Sequence, residues 1–257
     1  MPPRRVVSLC PSITETLVAI GGFKRLAAAT RYCVRPKGML WGLPRVGGTK
    51  NPDIARILAL KPDIVFVNEE ENRIEDVRAL EEAGVEVDVT FPRTVSEVPG
   101  AIRRWGNRMG EGSEIEAETL ARRIEDAERA LEAEPPRAPF LYAYWIWKDP
   151  WMTISDDTYV ADLLRLAGGV NVFGREDERY PATTPQASLE RGADVHFFPS
   201  EPFPFRREKH EAMSEEIFGK ERVRLFVEGD DYCWHGVRTL DGLRAMRLLI
   251  RKLETER

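Results

Sequence analysis

The sequence predicts an α/β protein made of two parallel-sheet, Rossmann-like lobes joined by one long backbone helix. Three observations carry this. The first third alternates short β-branched runs with amphipathic helices, the rhythm of a parallel sheet covered by helices. A segment with neither Gly nor Pro then runs from Ser113 to Glu134. After Pro135-Pro136 the strand–helix rhythm restarts. The expected division is residues 1–112 for the N-terminal lobe, 113–136 for the connecting helix and 137–257 for the C-terminal lobe.

Val6 to Leu9 is a short apolar run with the character of a buried strand. A helix follows, with Ile13, Leu17 and Ile20 at helical spacing, a Ser12/Glu15 capping box at its start and Gly21-Gly22 at its end. Leu26 to Thr30 is a second strand, and a loop rich in Pro and Gly extends from Arg31 to Lys50. Pro52-Asp53 opens a short helix, Pro62-Asp63 closes it, and Ile64 to Val67 is a strand. A helix over 74–83 ends at Gly84, and Val85 to Thr90 is an alternating strand.

In the connecting segment Ile115, Leu120, Ile124, Ala127 and Leu131 form one apolar stripe. Glu118/Arg122 and Glu125/Arg129 stand at ion-pair spacing on the polar side. At the α-helical rise this segment spans roughly 33 Å. Beyond it, strands are expected at 140–145, 195–198 and 223–227, and helices at 159–167 and 240–253.

The totals exclude several classes. Of the 257 residues, 42% are hydrophobic and 32% charged, enough apolar content for a packed core and too much for a disordered chain. With 38 Lys+Arg against 43 Asp+Glu the net charge is -5, against the basic surface a nucleic-acid-binding protein needs. No apolar run has the length of a membrane span. The start, Met1-Pro2-Pro3-Arg4-Arg5, lacks an apolar signal segment, so a cytoplasmic location is expected as the sequence stands, and a periplasmic one if a leader was removed. The three cysteines, Cys10, Cys33 and Cys233, are odd in number and far apart, unlike a disulfide scaffold.

In open parallel sheets ligands bind beyond the carboxyl ends of the strands. In the N-terminal lobe this rule selects Tyr32, Cys33, Asn68 and Glu69. In the C-terminal lobe it selects Trp145, Trp147, Phe203, Tyr232, Trp234 and His235. The set is rich in rings, which offer large contact area at small entropic cost to a big, flat ligand. Cys33, Cys233 and His235 are candidate ligands for zinc or another transition metal, although no C-x-x-C is present. His196, inside a strand, is expected to be structural, and His210, in the charged stretch 206–211, solvated.

Residues 5–15, Arg5-Val6-Val7-Ser8-Leu9-Cys10-Pro11-Ser12-Ile13-Thr14-Glu15, resemble the opening of the cobalamin- and siderophore-binding proteins, the class III, helical-backbone receptors of importers. Val46-Gly47-Gly48-Thr49-Lys50-Asn51-Pro52-Asp53, followed by Leu60-Lys61-Pro62-Asp63-Ile64-Val65, is similar to their second signature, and 163–173, with Ala167-Gly168-Gly169-Val170-Asn171-Val172-Phe173, to a third. The resemblance covers nearly the whole chain in order. It implies non-catalytic binding of cobalamin, haem or an iron chelate in the cleft between lobes. It further implies a monomer working with an ABC importer permease, or a cytoplasmic relative of such a protein. Tyr32 and Trp234 carry over as ligand contacts, and Glu69 to Glu71 lie near a docking position for the membrane partner. The alternative is a metal-dependent hydrolase using Asp156-Asp157 or Asp230-Asp231 with cysteine or histidine. No nucleophile elbow, P-loop or H-E-x-x-H motif supports it.

Overall fold

The first apolar run forms strand β1 (Val6–Ser8), all three residues buried. Helix α1 (Pro11–Ala19) follows, with Pro11 at its first position, where the missing N–H costs nothing. Its N-cap is Cys10, which makes no side-chain cap bond. The Ser12/Glu15 capping box is therefore not formed. Ser12 lies inside the helix, and the Glu15 carboxylate is taken by Arg238. Gly21, at φ +84°, ends the helix as expected.

Residues 2–256 are described in this computed structural model, and the chain divides into two compact units. The first unit holds the residues up to Pro92, then Ser96–Glu125 and His235–Arg238. The second holds Arg93–Val95, Asp126–Trp234 and the residues from Thr239 on.

In the first unit β2 (Leu26–Ala29), α2 (Ile54–Ala59), β3 (Ile64–Asn68), α3 (Ile74–Glu82) and β4 (Glu86–Thr90) complete an all-parallel sheet of order β2-β1-β3-β4. Val65 pairs in register with Val7 and with Val87. Val7, Leu9, Ala28, Val65 and Val67 pack with Ile57, Val77 and Leu80 of α2 and α3 in one apolar cluster. Helix α4 (Val98–Met109), not anticipated from the sequence, is joined by the long α5 (Ser113–Glu132). The two approach closely at Gly106, where a Cβ would lie 2.3 Å from the Cβ of Ala117.

Helix α5 buries Ala117, Leu120, Ala121, Ile124 and Leu131, but Ile115 is exposed. Glu118 pairs with Arg122 as expected, at 2.6 Å. Glu125 instead takes Arg103 of α4, which also forks onto Glu118, while Arg129 pairs with Asp126. A guanidinium arriving from a neighbouring helix outcompetes one on the same exposed face. Hydrogen bonds from Arg103 and Arg122 pull the Glu118 carboxyl down to about 2.

The second unit repeats the plan with β5 (Phe140–Tyr144), α6 (Tyr159–Leu166), β6 (Gly169–Asn171), α7 (Pro185–Glu190), β7 (Val195–Pro199), α8 (Arg207–Phe218), β8 (Val223–Val227), α9 (Gly229–Cys233) and α10 (Thr239–Glu256). Its parallel sheet has the order β6-β5-β7-β8, the same arrangement as the first. Thr158 and Thr184 cap α6 and α7 with their hydroxyls, accepting from Ala161 N and Ala187 N. The charged stretch at 206–211 is the start of α8, and His210 there is partly covered by the rings of Phe203 and Phe205 rather than fully solvated.

Candidate functional site

At the carboxyl ends of the first sheet the chain builds a buried polar cluster. Asn68 ends β3 and acts as its hub. Its Oδ1 accepts from the amides of Glu70 and Glu71, at 2.9 and 3.1 Å. That fixes the amide orientation, so Nδ2 donates to Thr90 O at 3.0 Å and faces His235 Nε2 at 3.1 Å. His235 Nε2 is thus an acceptor, and the ring is neutral. Burial pushes its pKa down to about 4. Ser12 Oγ stands 3.5 Å from the same nitrogen, and Trp105 lies beside the ring with centroids 6.0 Å apart.

His235 belongs to a short strap, 235–238, seated on α1. Val237 N donates to Thr16 Oγ1 at 3.0 Å. Arg238 forks onto Glu15, with Nε to Oε2 at 2.9 Å and Nη2 to Oε1 at 3.2 Å. Gly236, at φ +90°, lets the backbone pass so close to Thr16 that a Cβ would stand 2.1 Å from its hydroxyl.

Both cysteines of this unit are buried. Cys33 Sγ lies 3.0 Å from Thr14 Oγ1 and 3.2 Å from Thr30 Oγ1. Cys10 Sγ lies 3.2 Å from Ser12 Oγ. Burial pushes the Cys10 thiol up to about 12 and raises Cys33 as well, so both remain protonated thiols. Tyr32, 49% exposed, points its ring outward, with the Arg31 guanidinium over it at 4.9 Å. Glu69 is exposed on the turn that Asn68 organises.

In the second unit the loop after β5 folds back on itself, Ile146 N to Met152 O at 3.0 Å and Met152 N to Trp147 O at 3.2 Å. The loop after β7 hydrogen-bonds to it, Phe203 N to Ile146 O at 3.2 Å. These bonds bring Trp147 and Phe203 edge to face, with centroids 5.6 Å apart. Trp147 is 41% exposed, and Phe203 and Trp234 are half-buried.

The expected site residues therefore divide. Tyr32, Glu69, Trp147, Phe203 and Trp234 present surface. Cys33, Asn68, Trp145, Tyr232 and His235 do not. Trp145 is fully buried, stacked on His196 and packed against Trp151 and Phe218, in the apolar cluster that also holds Ala143 of β5. Its Nε1 donates to His196 Nδ1 at 3.4 Å, and burial lowers the pKa of that histidine to about 3. Tyr232 is buried against Tyr144 and Phe197.

Among the described residues no group of three or more His, Cys, Asp or Glu side chains is arranged to hold a metal ion. The three residues of the expected set, Cys33, Cys233 and His235, each have other partners. Cys33 is held by threonine hydroxyls, His235 Nε2 accepts from Asn68, and Cys233 donates to Glu201 at 3.1 Å. Asp157 is engaged by Arg179 and Arg93, and hydrogen bonding from Arg179 holds its carboxyl below the usual range.

Sequence reasoning missed Trp41, 94% exposed in the loop after β2, and Trp105, whose Nε1 donates to Thr90 Oγ1 at 3.2 Å. A signal for the first existed, since residues 31–50 contain five basic residues and no acidic one.

The periplasmic binding protein family model matches residues 6–209, and the chain belongs to that family. Its members bind solutes and are not enzymes. The chain is 25% identical over 198 residues to a vitamin B12-binding protein of Vibrio cholerae serotype O1, covering 76% of this chain and 70% of that one. It is 24% identical over 245 residues to the vitamin B12-binding protein of Pectobacterium atrosepticum, covering 90% and 88%. The fold matches the crystal structure of the periplasmic vitamin B12 binding protein BtuF of Vibrio cholerae with a TM-score of 0.84, at 22% identity and 98% coverage of both chains. It also matches the periplasmic heme-binding protein RhuT from Roseiflexus sp. RS-1, with a TM-score of 0.79 at 19% identity, covering 97% of this chain and 98% of that one. Among the described residues no helix is long and apolar enough to cross a membrane.

Proposed function

We propose that this binding protein takes a corrinoid of the vitamin B12 class as its solute, with the exposed rings of Tyr32 and Trp147 and the half-buried ring of Phe203 as contacts, and delivers it as a monomer to an ABC permease. The observation that carries the reading is the pair Trp147–Phe203, two rings held edge to face by hydrogen bonds between two post-strand loops. Preorganised rings bind a large, flat solute with little further ordering cost. The names of the sequence relatives point to the same solute. Cys33, Asn68 and His235 support the rim from within. Asn68 shapes the turn that carries Glu69, and Cys33 anchors the loop that carries Tyr32.

Titration with cyanocobalamin, followed by tryptophan quenching and by the cobalamin spectrum, tests the reading. Saturable binding at one solute per chain is expected, weakened at least about tenfold in Trp147→Ala. Binding of haemin or a ferric chelate with no binding of cobalamin would move the solute class. Binding of none of them would overturn the reading. Light scattering should give the mass of one chain, 29.3 kDa.

A further inference from the structure

The loop between β2 and α2 carries, beyond Tyr32, a feature that the proposed solute contacts do not include. Trp41 is 94% exposed, the highest value for a large apolar side chain among the described residues. Met39 and Val34, at 48% and 58%, flank it. The tip is nonetheless tied down. Leu40 is buried beneath it, and two successive turns close through Met39 N to Pro36 O and Leu43 N to Leu40 O, each at 3.3 Å. The Arg45 guanidinium grips the carbonyls of Thr30, Cys33 and Leu40 at 3.0, 2.9 and 3.3 Å. A held turn that displays tryptophan and methionine keeps them in water at a standing cost, the mark of an interaction surface.

Charge identifies the occupant. The chain as a whole is at -5, yet Arg31 to Lys50 holds Arg31, Arg35, Lys37, Arg45 and Lys50 with no Asp or Glu. Lys37 is exposed on the turn just before Met39. A ring lining a concave solute site is shielded by the walls, whereas Trp41 is shielded by almost nothing. Its shape suits a broad, yielding surface. Tryptophan with lysine and arginine is the combination that settles at the headgroup level of an anionic bilayer.

We propose that the 34–43 turn is a membrane-docking tip. Trp41 and Met39 enter the interfacial region of an anionic lipid surface, and Arg31, Arg35 and Lys37 meet its headgroups. The proposal does not depend on the identity of the solute.

Co-sedimentation of the full chain with vesicles tests it, using phosphatidylcholine alone and phosphatidylcholine with phosphatidylglycerol in equal parts. Binding to the anionic vesicles only, reduced by salt, is expected. Lys37→Glu should weaken it by roughly fivefold or more, the scale of one basic residue near an anionic surface. Trp41→Ser with Met39→Ser should abolish it, with the thermal transition unchanged because both side chains are exposed. Equal binding by that double variant, or no binding by the wild type, overturns the proposal. So does a Trp41→Ser variant that loses cobalamin or haemin affinity, or changes its oligomeric mass, while wild type ignores vesicles, since the loop would then serve the solute or a second copy.

Discussion

Arg238 and Glu15 form a two-pronged ion pair, at 2.9 and 3.2 Å, with side chains only 13% and 12% exposed. They are 223 residues apart in sequence, and the pair fastens the 235–238 strap to α1. Breaking one side of a nearly buried pair strands the other charge, at a cost of about 3–5 kcal/mol, while replacing both by apolar residues is often near neutral. Arg238→Met and Glu15→Met should each lower the urea midpoint strongly, and the double variant should recover most of the loss. Additive losses would show that the pair is not the fastening.

The two tryptophans two residues apart after β5 should behave oppositely. Trp145 is wholly buried among Trp151, Phe173 and Phe218, so Trp145→Ala should cost about 3–5 kcal/mol of stability through the cavity it leaves. Trp147→Ala should leave stability within about 0.5 kcal/mol and act on solute affinity instead. Denaturation and titration of the two variants side by side check both halves.

Gly106 lets α4 lie against α5. A methyl there would stand 2.3 Å from the Ala117 Cβ and 3.0 Å from the Ser113 carbonyl oxygen. Gly106→Ala should therefore destabilise by about 1–3 kcal/mol despite the better helix propensity of alanine. A stabilised variant would mean that the helices part without cost.

His235 and His196 are held neutral by burial, with pKa values pushed down from 6.5 to about 4 and about 3. Above the ordinary histidine pKa both states are neutral and the full stability is present. As pH falls below it, the unfolded chain takes up protons that the folded chain refuses. Each histidine then removes up to about 1.4 kcal/mol per pH unit, until its own folded pKa is reached. Urea unfolding at about pH 7 and about pH 5 should show this loss, and replacing His196 with an uncharged residue should flatten the slope.

The cysteines should differ in reactivity. The thiolate is the reactive form, and burial pushes the Cys10 thiol up to about 12 and raises Cys33. Under native conditions a disulfide reagent should label Cys233 first, with Cys10 and Cys33 reacting only on unfolding. Peptide mapping identifies the labelled thiol.

The two-sheet fold was legible because apolar runs and their Gly and Pro punctuation encode parallel strands and covering helices directly. What escaped were elements whose patterning is short or mixed. Strand β6 has three residues, one of them Gly169, and the start of α8 reads only as a charged stretch until its Arg207–Glu211 pair is seen at helical spacing. The site was legible as a set of loops but not as a set of surfaces. Post-strand position placed Trp145 and Trp147 together, and only side-chain direction separates a core ring from an exposed one. Asn68 gave no local sign that its amide would organise a turn and meet a histidine 167 residues away.

The strap at 235–238 ties the first unit to the history of its own synthesis. A ribosome delivers Glu15 and Asn68 well before their partners Arg238 and His235, 223 and 167 residues further on. Until then that end of the sheet lacks this piece, leaving a carboxylate and an amide to water or to a chaperone. Dissection of the gene meets the same constraint: an amino-terminal fragment, wherever it is cut before His235, omits four residues that belong to its own unit. Supplied in trans as a peptide, those residues would serve as a direct probe of how far the fragment folds without them.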